Sequence, residues 1–327
     1  MNVRIFFLLS GLMPFMPVSA ADDGTSWLES SRQWVQGLWQ GEAEQWLERI
    51  NPALMAYDYT GTAVFAHGTS MESLLVEHRV QGGRESLRMQ TLSGSPRELI
   101  KRNGKIHSNA AVSGGASSAF VTEQGTFNRF ANAADSKWYD ASLGEKTRVA
   151  GRAVQTVNLR AEDGLRYSYR LWLDEQTGLP LRVLTLDENG VILEQMAFTQ
   201  IQIKPAADTS KPVRPAKRKA LDSPFKEVKG FQLLASEKAG KSTQYLYSDG
   251  LSSFSLYVEP STRVEKGRMR QASVNGLMYG NGTTRFVAMG KVPVATLQQA
   301  LSAAGQQSDE SSKSKTQEPS EPPFKLL

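Results

Sequence analysis

The chain has 327 residues, enough for two domains with separate cores, and its 40% hydrophobic content is that of a globular protein. It contains no cysteine, which excludes disulfides, thiolate-held zinc and a lipid anchor on a cysteine. The formal net charge of +5 is concentrated between residues 204 and 229, where eight Lys and Arg stand against three Asp and Glu; this is not a basic surface spread over a fold, and no nucleic-acid partner is expected.

Residues 1–20 have a positive start at Arg4, an apolar stretch from Ile5 to Val18 and a small-x-small site at Val18-Ser19-Ala20. This is the pattern of a cleaved signal peptide, and it predicts a soluble, exported protein. The apolar run falls short of the ~20 residues of a spanning helix and is broken by Gly11, Pro14 and Pro17.

Residues 21–203 read as a first domain. Between Ser26 and Ile50, Trp27, Trp34, Leu38, Trp46, Leu47 and Ile50 recur at helical spacing, which predicts one or two amphipathic helices. Asn51-Pro52 then reads as an N-cap and first-turn pair opening a short helix. Strands are predicted over 59–66, 71–80 and 85–92, with turns at His67-Gly68 and Gly82-Gly83, and the meander continues through 95–102. Residues 109–126 are rich in Gly and Ser and read as a mobile loop; residues 127–139 include a helix or irregular crossing, and a strand is predicted over 154–159.

Glu162–Gln195 writes a three-stranded meander. Leu165, Tyr167, Tyr169, Leu171 and Leu173 alternate with Arg166, Ser168, Arg170 and Trp172; a second strand covers 181–186; and Asn189-Gly190 reads as a positive-φ pair in a tight hairpin. On the last strand, Leu193, Ile201 and Ile203 are expected on one face and Ile192, Met196 and Phe198 on the other. Apolar residues on both faces require a cover of helices, partner or apolar ligand.

Residues 204–229, rich in Pro and Lys, read as an extended linker, with RPAKRK open to an anionic contact. Residues 230–304 read as a second domain: strands at 231–236, 242–248, 254–259, 269–279 and 285–289, then a helix opened by Pro293 with Leu297, Ala300, Leu301 and Ala304 in one stripe. Ser248-Asp249-Gly250 is the predicted turn that gathers Tyr245, Tyr247, Phe254 and Tyr257. Residues 305–327 are polar and read as a disordered tail. The expected fold class is α+β, a curved antiparallel sheet with helices followed by a smaller antiparallel sheet with one helix.

No catalytic constellation is found. His67, His78 and His107 are scattered with no metal-ligand spacing, there is no G-x-S-x-G, and Ser117 and Ser118 have no identifiable base. No enzyme activity, metal or cofactor is expected.

RYSYRLWLDEQTGLPLR and LDENGVILEQ, together with YDYTGTAVFAHG, SGSPREL and YLYSDGLSSFSLYVEP, closely resemble the RseB/MucB family. The family's Trp and proline–glycine turn before its Gly-Phe pair are replaced here by FKEVK ahead of Gly230-Phe231. The resemblance implies a LolA/LolB-like first domain and a periplasmic negative regulator of the envelope-stress sigma factor. Such a protein binds the periplasmic part of a membrane-spanning anti-sigma factor, shields it from site-1 proteolysis and is released by a lipid, lipoprotein or lipopolysaccharide signal; self-association into a homo-oligomer stays open. A carrier of lipids or lipoproteins is the competing function, and it would need the first domain alone. Tyr245, Tyr247, Asp249 and Phe254 are the candidate partner contacts, and Trp172, Met196 and Phe198 the candidate lipid contacts, with core packing the competing role for each aromatic and apolar residue.

Overall fold

A computed structural model describes residues 41–94, 96–102, 105–108, 127–134, 136–207, 219–226, 228–271 and 273–315. The segment expected as a signal peptide, the tryptophan-bearing segment before residue 41, the Gly/Ser-rich segment expected as a loop and most of the segment expected as a linker lie outside them.

Residues 41–48 form helix α1, and α2 follows over Ile50–Ala56. Ala43, Leu47, Ile50, Ala53 and Leu54 turn one stripe into the core. The predicted cap is displaced: Arg49 occupies the N-cap position with helical backbone angles, and its carbonyl already accepts from the Ala53 amide, so Asn51 sits inside the helix. The pair therefore lies within the helix and does not cap it.

Ten strands form the first sheet, in the order β5-β4-β3-β2-β1-β10-β9-β8-β7-β6. They run β1 Tyr57–His67, β2 Ser70–Gln81, β3 Arg84–Thr91, β4 Glu98–Arg102, β5 Lys105–Ser108, β6 Tyr139–Val149, β7 Arg152–Ala161, β8 Ser168–Asp174, β9 Pro180–Leu186 and β10 Ile192–Pro205. Every neighbour is antiparallel, and the single long-range closure is β1 against β10. That closure joins two meanders and places the 3-10 turn Phe127–Ala133 beside α2, so the helices and this turn cover one face, here called the inner face. Tyr59, Phe65, Leu74, Met89, Leu171 and Met196 fill it.

Sequence alternation slips at bulges. Leu193 is an extra residue between the pairs Ile192–Leu186 and Glu194–Thr185, so Leu193 and Glu194 are both buried while Ile192 is 52% exposed. The 187–191 turn is likewise longer than a two-residue hairpin. Asp187 Oδ1 accepts from the amides of Asn189 and Val191, and Gly190 has φ 78°, whereas Asn189 has no positive φ. The Asp187 carboxylate, not an Asn-Gly pair, holds this turn.

The second sheet has the order β11-β12-β13-β16-β15-β14: β11 Gln232–Ala239, β12 Ser242–Ser248, β13 Ser253–Pro260, β14 Val264–Gln271, β15 Val274–Asn281 and β16 Thr284–Gly290. Residues 269–279, expected as one strand, are thus a turn with a strand on each side. Helix α3, Val294–Lys315, seals one face with Leu297, Ala300 and Ala304 against Phe286, Ala288 and Leu256. It runs eleven residues beyond the predicted end at Ala304: with the first turns fixed by packing, each added residue costs little, so a polar sequence continues the helix. The described residues just before β11 pack on the second sheet. Leu221 bridges to Leu233, the Ser223 and Tyr247 hydroxyls are 2.8 Å apart, and Val228 is buried in the second core.

Candidate functional site at the domain boundary

The two domains exchange side chains. Leu251, from the turn between β12 and β13, is buried in the first core, and Leu165, from the approach to β8, is buried in the second. Around this exchange lie two polar clusters.

The first is built on the turn Ser248–Ser252. Asp249 Oδ1 accepts from the amides of Leu251 (2.9 Å) and Ser252 (2.6 Å), Gly250 takes φ 97°, and the Ser248 hydroxyl accepts from the Gly250 amide (3.0 Å) and donates to the Ser252 carbonyl (2.8 Å). The turn is closed on itself before it meets its neighbour. It presents its remaining groups to the first domain: Arg129 donates to the Leu251 carbonyl (3.2 Å), Asn132 to the Gly250 carbonyl (3.1 Å), and the Ser252 hydroxyl lies 3.0 Å from that of Tyr139 and 3.3 Å from that of Tyr169.

Arg166 is the keystone of this cluster. Its side chain is fully buried and reaches Asp249 Oδ2 (2.5 Å), Asp163 Oδ2 (2.7 Å) and the Lys229 carbonyl (2.8 Å), while its guanidinium carbon lies 4.5 Å from the Trp138 ring and 4.6 Å from that of Phe231. A buried cation is tolerated because carboxylates, a carbonyl and two aromatic faces all turn toward it. Burial pushes the Asp249 carboxyl above its usual value, against the two turn amides and Arg166, which pull it down. Gly230, at φ 80°, lets the chain pass this stack: a Cβ there would lie 2.4 Å from both Arg166 and Trp138.

The second cluster ties β10 to the far end of the second sheet. Glu194 accepts from Lys291 (2.8 Å) and from the Ser273 hydroxyl (2.6 Å), Asn275 donates to the Tyr167 hydroxyl and the Val292 carbonyl (2.8 Å each), and the Thr296 hydroxyl donates to the Leu165 carbonyl (2.6 Å). Burial pushes Glu194 up, but Lys291 and Ser273 outweigh it, so the carboxyl titrates below its usual value. Burial pulls Lys291 down against the same carboxylate.

Of the residues expected to grip a partner, the side chains of Tyr247, Asp249 and Phe254 are buried and Tyr245 is half-buried. Tyr247 and Phe254 stack at 5.1 Å and are almost wholly buried in the second core; Tyr245 is half-buried, edge-on to Phe225 at 5.2 Å; Asp249 is committed to Arg166. Tyr257 does not join them. The registers Tyr247–Phe254 and Gln244–Tyr257 put it on the opposite face of the sheet from Phe254.

The expected lipid contacts do not share a face. Registers carry Phe65, Met196, Val183 and Leu171 along the inner face, with Phe198 two residues beyond Met196. Trp172 pairs with Thr156 and Arg182 on the outer face, where the Arg182 guanidinium covers its ring at 4.4 Å. The space beside Met196, bounded also by Phe65, Phe130, Glu194 and Lys291, is about 20 Å³, room for one water and not an acyl chain. Sequence reasoning missed Arg166, Glu194 and Lys291. A charged residue inside an apolar alternation was the available signal, visible at Arg166 and at Glu194.

The fold and its boundary define a two-domain, two-sheet protein in which paired buried charges fix how one sheet meets the other. Its family follows from comparison: models of the MucB/RseB N-terminal and C-terminal domains match residues 42–220 and 219–304, and the chain belongs to the MucB/RseB family. It is 28% identical over 281 residues to the sigma factor AlgU regulatory protein MucB of Pseudomonas aeruginosa, covering 78% of this chain and 88% of that one. It is 29% identical over 254 residues to the sigma-E factor regulatory protein RseB of Salmonella typhimurium, covering 68% and 77%. Among solved structures, the complex of Pseudomonas aeruginosa MucA/MucB matches with a TM-score of 0.61 at 25% identity, over 79% of this chain and 96% of that one. A crystal structure of MucB in complex with MucA(peri) matches with the same score at 26% identity, over 78% and 96%.

Proposed function

We propose that this protein is a periplasmic negative regulator of an envelope-stress sigma-factor pathway. It binds the periplasmic part of a membrane-spanning anti-sigma factor and shields that segment from site-1 proteolysis. The observation that carries the reading is the continuous family match through both domains, residues 42–304, to proteins named as sigma-factor regulators, one of them solved with MucA(peri). The physics required is linkage: whatever binds the uncleaved segment lowers the population open to the protease, and a ligand preferring the unbound regulator restores it.

A domain boundary locked by buried ion pairs supports this reading, since it holds the surfaces of two sheets in one fixed relation, as a partner spanning both would need. Release by a lipid or lipoprotein signal completes the proposal. Met196 and Phe198 belong to the closed inner core, so an acyl chain would reach them only after the covering helices and 3-10 turn lift.

The test is reconstitution with the cognate anti-sigma factor's periplasmic segment and its site-1 protease. Added regulator should slow cleavage in proportion to its occupancy, and acyl-bearing lipid should restore the rate. Unchanged cleavage at saturating regulator would refute the proposal; unchanged cleavage on adding lipid would remove its last clause.

A further inference from the structure

Strand β14 ends the second sheet, and among the described residues only β15 pairs with it. Its eight residues hold register with β15 throughout, without bulge or proline, so its outer edge presents a regular row of backbone donors and acceptors. The two faces of this strand differ in chemistry. Lys266, Arg268 and Arg270 lie opposite Tyr279, Leu277 and Asn275 on the face that carries α3, and all three are exposed, with no ion-pair partner among the described residues. On the other face Glu265 is bonded to Arg285, Gly267 has no side chain, and Met269 is 47% exposed. That face continues across the sheet through half-buried Met278, Val287, Met289 and Tyr257. Val264, at the start of the edge, is 80% exposed.

We infer that β14 receives an extended acidic segment of a protein partner as a seventh strand, with carboxylates at alternate positions against Lys266, Arg268 and Arg270 and apolar side chains between them over Met269. Main-chain bonds along the edge supply affinity and the alternating row supplies selection. Charge complementarity chooses this occupant over a second copy of the chain, because two β14 edges brought together set the same three cations against each other. The edge also has a natural end stop. Ser273, just past β14, is bonded to Glu194 of β10, and the exposed Val191 and Ile192 lie at the start of that strand, so a segment on β14 runs toward the first domain.

This inference rests on the regulator reading for the source of the segment, and its test separates the two. Full-length protein is titrated with the cognate anti-sigma factor's periplasmic segment by calorimetry, and amide hydrogen exchange is followed with and without it. The K266E/R268E/R270E variant is titrated alongside, its fold checked by far-UV circular dichroism. In the complex the amides of 264–270 should gain protection, the triple variant should bind at least about tenfold more weakly, and added salt should weaken the wild type more than the variant. A complex that forms with the 264–270 amides exchanging as before overturns strand addition and leaves the regulator reading standing. Protection there that grows with protein concentration in the absence of the segment assigns the edge to a second copy and overturns it too. No binding by the wild type overturns both readings.

Discussion

Removing Arg166 tests whether the domain boundary is held by its buried charges. Arg166→Met keeps most of the volume between Trp138 and Phe231 but strips Asp249, Asp163 and the Lys229 carbonyl of one cation. Asp163 is partly solvated; Asp249 is not, and it keeps only the amides of Leu251 and Ser252. Breaking a pair in which both side chains are fully buried costs about 3–5 kcal/mol, because the remaining charge has no water to return to. Asp249→Asn should cost less, about 1–3 kcal/mol, since Arg166 retains Asp163 and the carbonyl. The pH dependence follows from the direction of the Asp249 shift. Its carboxyl is already raised by burial, and losing Arg166 removes a group that pulls it down. A raised carboxyl destabilises the fold above its folded pKa and not below the unfolded value of about 3.9, so the Arg166→Met penalty should shrink as pH falls from 7 toward 4. Urea unfolding of the full chain at several pH values, with the double variant Arg166→Met/Asp249→Asn closing the cycle, measures all of this. A single variant within about 0.5 kcal/mol of wild type, or a penalty that grows on acidification, would refute the argument.

Other expectations follow from the same geometry. Glu194 has a lowered carboxyl, so its contribution is full above the unfolded value of about 4.3 and is lost as pH falls through the folded one; the protection of the 273–275 amides, taken relative to their intrinsic exchange rate at each pH, should fall over that acidic range. Gly230→Ala combines a positive φ with an overlap on Arg166 and Trp138 and should cost about 2 kcal/mol or more in thermal unfolding, whereas Gly240→Ala, also at positive φ but with open space around it, should cost about 1 kcal/mol. Phe254→Ala should cost about 3–5 kcal/mol as a core truncation, while Tyr257→Ala on the opposite face should stay near 1 kcal/mol; equal losses would contradict the register. Tyr247→Phe removes the hydroxyl beside Ser223 and should cost about 1 kcal/mol with partner affinity unchanged, whereas a large loss of affinity at constant stability would return Tyr247 to the binding surface.

The legible part of the fold was mainly the part written in local alternation. β1, β2 and β3 lie within a few residues of their predicted places because Gly68, Gly82 and Gly83 take the positive φ their turns require; β7 and β9 are also within a few residues, with continuous runs of buried residues in place of alternation. β6 gave no such pattern: Glu145, Lys146, Thr147 and Arg148 are exposed in succession on an edge strand, so no buried face imprints a period of two. Faces failed where bulges shift the phase. Leu193 is the extra residue in β10 and Leu181 the extra residue between the pairs Trp172–Arg182 and Leu173–Pro180, and each moves the following side chains without changing composition. Trp172 pairs with Arg182 and Met196 with the next residue, Val183, so ordinary alternation sets these two on opposite sides of the sheet.

The candidate site was less legible for a deeper reason. A residue's partners across a domain boundary are not encoded in its local pattern: Arg166 and Asp249 are 83 positions apart, Glu194 and Lys291 97. The aromatic turn sequence around Ser248-Asp249-Gly250 has the composition of a binding loop, and it is one, but the surface it binds is the first domain of its own chain. Tyr and Phe satisfy an internal boundary and an external one by the same means, large apolar area with a polar tip, so composition does not distinguish the two. Exposure after folding does. Applying it moves the search for a partner from the buried Tyr247 and Phe254 to β14, where Lys266, Arg268 and Arg270 are exposed and, among the described residues, only β15 pairs with the strand.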